Sequence, residues 1–163
     1  MRERLWNELT QCKHHHIYCV LLIAHQRRLL NIFNMTILAF SSAGIMGWTI
    51  WKEVPLIACI IVATISLLKL LSPHIVPSEK QIDKLDQVTD FYFDYYNKME
   101  QLWLNHYNYR LTDEEAQKQF YKLKDSERAI NKVVNEIVKH TNKSILKKTD
   151  LEAINYFKRT FNV

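Results

Sequence analysis

Glycine is nearly missing from this sequence: Gly44 and Gly47 are the only two in 163 residues. A loop that cradles phosphate needs several glycines in one turn, so the Gly-rich nucleotide-binding motifs are excluded. Proline is scarce as well, at Pro55, Pro73 and Pro77 alone, so elsewhere nothing forbids long helices. The three cysteines, Cys12, Cys19 and Cys59, are too few and odd in number for a disulfide framework. No HExxH, nucleophile elbow or CxxC occurs. The sequence therefore predicts no enzyme and no cofactor.

Charge is also withheld over a long interval. Residues 29–51 contain no Asp, Glu, Lys or Arg, and residues 54–78 contain only Lys69. Crossing the hydrocarbon of a bilayer takes roughly 20 helical residues. The first run meets that length, and the second reaches it if Lys69 snorkels to the interface. Trp48 and Trp51 suit an aromatic belt, and Pro55 suits the first turn of a second helix. The basic residues Arg27, Arg28 and Lys69 flank the runs, which by the positive-inside rule places both termini in the cytoplasm. The expected fold class is an all-α membrane protein. It would have an N-terminal amphipathic helix over residues 1–28 and a two-helix transmembrane hairpin over 29–71 (29–51 and 54–71). A C-terminal cytosolic helical bundle would cover 79–163.

The two glycines acquire a role in this reading. Between helices in lipid, small residues permit the close backbone approach that supplies attraction. At about 100° per residue, Thr36, Ala43, Gly44 and Gly47 gather on one side of the first run and are the expected packing face. Asn31, Asn34, Ser41, Ser42 and Thr49 gather roughly opposite. They are either packing glue within the hairpin or, in an oligomer, candidate pore-lining residues.

The segment "CKHHHIYC" brings Cys12, His14, His15, His16 and Cys19 together. Their spacing could place a few on one helix face, but one straight helix rarely offers zinc four ligands, so no metal is expected. An amphipathic helix with Leu5, Trp6, Leu9, Val20 and Ile23 as its apolar positions is the plainer account.

Pro73 and Pro77 should break or kink the chain after the second run. Three capping-box patterns follow, at Ser78–Gln81, Thr112–Glu115 and Thr149–Glu152. They open expected helices over about 79–109, 113–139 and 150–161. The first repeats Ile82, Leu85, Tyr92, Tyr96, Met99 and Trp103 on one row, with Val88, Tyr95, Leu102 and Tyr109 on a second. That width suits a bundle. Tyr92, Tyr96, Met99 and Trp103 are the expected contact face of this helix. Aromatics interleaved with lysine could stack on bases, but Asp86, Asp90, Asp94 and Glu100 interleave too, so no nucleic acid is expected as partner.

The order of parts resembles a known family. A basic amino-terminal helix leads to a two-run hairpin, then to "SLLKLLSPHIVPSEKQIDKLDQVTDFYFDYYNKMEQLW", then to "FYKLKDSERAINKVV". This arrangement is similar to the SLATT superfamily, two-transmembrane effector domains of bacterial nucleotide-signalling and antiviral conflict systems. The "SPHIVPS" interruption departs from its smoother passage out of the second span. The resemblance implies a homo-oligomeric effector of the bacterial inner membrane, crossing it twice, that forms a pore or disrupts the membrane in anti-phage defence. Its partners would be the lipid bilayer, further copies of itself and a nucleotide-signalling or sensor protein encoded nearby. The alternative is a membrane-anchored scaffold or sensor subunit regulating a separately encoded cytosolic partner.

Overall fold

A computed structural model describes the backbone of residues 1–46, 55–138 and 141–161, and within these the side chains outside 40–46, 55–58 and 72–75. Among the described residues there are five helices: α1 Arg2–Met46, α2 Pro55–Ile75, α3 Glu79–Tyr107, α4 Asp113–Ile137 and α5 Lys143–Phe161. No described residue lies in a strand. The all-α expectation holds.

The membrane expectation does not. Among the described residues no helix is long and apolar enough to cross a membrane. Crossing hydrocarbon takes roughly 20 consecutive apolar helical residues, and none of the described helices offers such a run. The transmembrane hairpin and the two-pass inner-membrane location are therefore withdrawn.

The amino-terminal stretch is also not a separate helix. With no glycine or proline between residues 2 and 43, α1 continues unbroken for 45 residues. It contributes to two compact units, one of Met1–Ile23 with Asp83–Val163 and one of Ala24–Ile82.

The first unit is a helical bundle. Its core joins Leu5, Leu9 and Cys12 of α1 to Tyr95, Tyr96, Met99 and Leu102 of α3 and to Ala116 and Phe120 of α4. From α5 it buries Ile145, Thr149 and Ala153, one stripe at four-residue spacing. The turn after α3 must leave helical geometry without a glycine, and Tyr109 does so with φ at 56°. Its ring stays in water. α4 then opens on a reciprocal cap: Thr112 Oγ1 accepts from the Glu115 amide at 3.3 Å, and Glu115 Oε2 accepts from the Thr112 amide at 3.0 Å. The third expected capping box is corrected. Thr149 sits inside α5, fully buried, donating its hydroxyl to the Ile145 carbonyl at 2.9 Å. Asn142 caps this helix instead, its Oδ1 accepting from the amides of Ser144 and Ile145.

The second unit comprises the rest of α1, α2 and the start of α3. α2 continues past Pro73 to Ile75, and the break falls at residues 76–78, around Pro77. Ser78 and Gln81 then exchange hydrogen bonds at 3.0 and 3.3 Å to start α3. Val76 and Ile82 are buried here, while many aliphatic side chains of this unit are not.

Candidate functional site

Of the residues expected for packing in a membrane, Thr36 alone has a described side chain. Thr36 is exposed, and its hydroxyl donates to the Ile32 carbonyl one turn back at 2.8 Å. Ala43 and Gly44 lie on α1, but their surroundings, and Gly47 altogether, fall outside the described residues. Of the proposed pore-lining set, Asn31 and Asn34 are exposed, whereas Ser41, Ser42 and Thr49 fall outside the described side chains. Arg27, Arg28 and Lys69 are exposed. The contact face of α3 is brought together: Tyr92, Tyr96 and Met99 are buried, and Trp103 packs half-buried against the core.

Spacing gave no hint of the polar cluster inside the bundle. Lys124 Nζ of α4 lies 2.7 Å from Glu8 Oε1 of α1 and 2.9 Å from Glu127 Oε2. Tyr95 donates to the same Glu8 oxygen at 3.1 Å. Tyr92 donates to Asn131 Oδ1 at 3.2 Å. Burial opposes the Lys124 charge, but its hydrogen bonds to Glu8 and Glu127 outweigh that and hold its pKa above the usual lysine value. Burial likewise raises the phenols of Tyr92 and Tyr95, so both act as donors. The cluster ties three helices together through charge-assisted bonds.

The His/Cys run decorates the same helix without forming a metal centre. Among the described residues no group of three or more His, Cys, Asp or Glu could hold an ion. Cys12 and Cys19 are buried, and burial pushes each thiol up to about 12. A thiol so raised is protonated at neutral pH and is a poor nucleophile. His14 Nε2 lies 2.8 Å from Asp150 Oδ1, and the His15 ring meets Tyr92 at 5.1 Å.

His15 gives the bundle a pH dependence. Desolvation lowers its pKa from the ordinary imidazole value, against the pull of Glu127 and Glu8. Desolvation also lowers His16, with Lys13 adding to it. A base depressed by folding takes up its proton more readily when unfolded, so stability is complete above about pH 6.5 and falls as pH drops through that value. Thermal melts at pH 7.5 and 5.5 should show a lower midpoint in acid. The change should shrink in a His15→Gln variant.

The remaining feature lies in the unit of residues 24–82. On α2, Ile60, Val62, Leu67 and Leu70 are exposed, Leu70 to 77%. On α1, Leu29, Ile32, Met35 and Leu38 are exposed too. Isolated apolar side chains on a surface are ordinary, but a run of this kind on two helices marks a surface that requires a cover. Thr64, in the midst of it, donates its hydroxyl to the Ile60 carbonyl and so asks for no outside partner. Comparison of the chain with protein-family models, with curated proteins and with solved structures finds no match.

Proposed function

We propose that the chain is a non-enzymatic helical assembly module, and that residues 24–82 associate with the same segment of other copies. The observation that carries this is the exposed aliphatic surface of α2 and the adjoining part of α1. A second copy presents an equally apolar surface, and two-fold pairing makes one patch its own complement. Covering Ile60, Val62, Leu67 and Leu70 offers roughly 4–7 kcal/mol of burial still to be gained, before the entropic cost of association. The bundle supports the non-catalytic part of the reading, since its buried carboxylates Glu8 and Glu127 are engaged by Lys124 and its two buried thiols stay protonated. Spanning and pore formation are no part of this reading.

Light scattering on the full chain tests the reading. The wild type should self-associate, and a Leu67→Lys/Leu70→Lys variant should need at least about tenfold more protein to reach the same state. Near-ultraviolet dichroism should show the bundle unchanged. A wild type that stays monomeric, a variant that assembles equally well, or single chains that float with lipid vesicles would each overturn the proposal.

A further inference from the structure

Within the bundle, α1 and α5 lie antiparallel. His14 meets Asp150 at 2.8 Å, while Trp6 meets Phe157 and Phe161 with ring centroids 5.6 and 5.2 Å apart. Between these two bookends the facing residues are Thr10 and Ala153. Both are short, which leaves an open groove of about 520 Å³ between the helices. Ile154, exposed to 52%, forms one apolar wall, and Trp6 and Phe157 close one end. Asp150 and Lys158 lie on the same face of α5, two turns or roughly 12 Å apart.

The groove is mainly apolar along its length, with Thr10 and Gln11 as its uncharged polar lining, and it is charged only at its ends. At one end Asp150 is engaged with His14. At the other, Lys158 lines the groove next to Phe157 and brings the one basic side chain at that end. An occupant complementary to this has an apolar chain and one anionic head. We propose that the cleft between α1 and α5 binds a medium-chain carboxylate, its acyl chain along Thr10, Ala153 and Ile154 and its head at Lys158. The His14–Asp150 bridge limits the chain to about the two-turn distance, so longer acyl chains gain nothing by their extra carbons.

Titration calorimetry of the full chain with decanoate, below its micelle concentration, tests this. One site is expected in the wild type. Ala153→Phe fills the cleft and should weaken binding at least about tenfold. Thr10→Leu, on the opposing helix, should also weaken it, and stands in if the first variant proves unfolded by far-ultraviolet dichroism. Lys158→Ala should weaken decanoate about tenfold and leave decanol unchanged. The Leu67→Lys/Leu70→Lys variant should bind decanoate as the wild type does, which separates this cleft from the aliphatic surface of residues 24–82. The proposal is overturned if the folded cleft-filling variants bind decanoate normally, or if Lys158→Ala affects decanoate and decanol alike.

Discussion

Replacing Phe120 with alanine should cost the bundle about 3–5 kcal/mol, the usual range for truncating a buried aromatic ring. The reason lies in how little α4 buries. Ala116, Phe120 and Glu127 are its buried residues, so among the described residues Phe120 is the one large apolar side chain of this helix that is fully buried, with Leu123 packed beside it half-buried. Its ring reaches the cluster of Leu5, Leu9 and Met99 and also carries the Arg4 guanidinium, 4.7 Å from the ring centre. Truncation removes the aromatic burial and the cation–π contact together. A typical domain has only about 5–15 kcal/mol in hand, so α4 should be the part that loosens. Urea unfolding would give the size of the loss. Hydrogen exchange should show faster opening in residues 113–137 than elsewhere. Phe120→Leu, which keeps most of the volume, should cost below about 1.5 kcal/mol. Equal effects of the two substitutions would show that the ring is not a packed anchor.

Lys124→Met should be nearly as damaging, for an electrostatic reason. The ammonium sits between Glu8 and Glu127, whose side chains are each only 10% exposed. Removing it leaves two carboxylates close together with no counter-charge. Deleting one partner of a buried ion pair costs about 3–5 kcal/mol, mainly because the stranded charge stays buried. The Lys124 side chain is itself 40% exposed, so water softens the loss to about 3 kcal/mol. The sharper test is recovery. Adding Glu8→Gln and Glu127→Gln to Lys124→Met should restore most of the stability, because the carboxamides can be satisfied without a cation. Measured by urea unfolding, a loss under about 1 kcal/mol for Lys124→Met alone would mean that the cluster is effectively solvated.

Spacing made the interior of α3 readable in advance. Ile82, Leu85, Tyr92, Tyr96 and Met99, with Val88, Tyr95 and Leu102 from the overlapping row, are all buried. The Thr112–Glu115 cap was equally legible, since it depends only on residues three apart. Thr149 marks the limit of local pattern. Its T-D-L-E stretch spells a start signal, yet Asn142 takes the cap and the stripe Ile145–Thr149–Ala153 turns inward. Burial decides between two candidate caps, and burial is set by helices far away in sequence. The Glu8–Lys124 bond joins residues 116 apart, and no spacing rule relates them. The two-span expectation fails for another reason: a stretch without charge is not by itself a stretch of apolar helix, and no described helix is long and apolar enough to cross a membrane.

The burial of Cys12 and Cys19 has a practical consequence. Both thiols lie in the bundle with their ionisation pushed up to about 12, so alkylating reagents find almost no thiolate there at neutral pH. Cys59 is exposed, and it stands one residue before Ile60 on the aliphatic helix. The wild-type chain thus carries a natural attachment point for a maleimide dye, and the label falls on the segment whose neighbours most need to be identified.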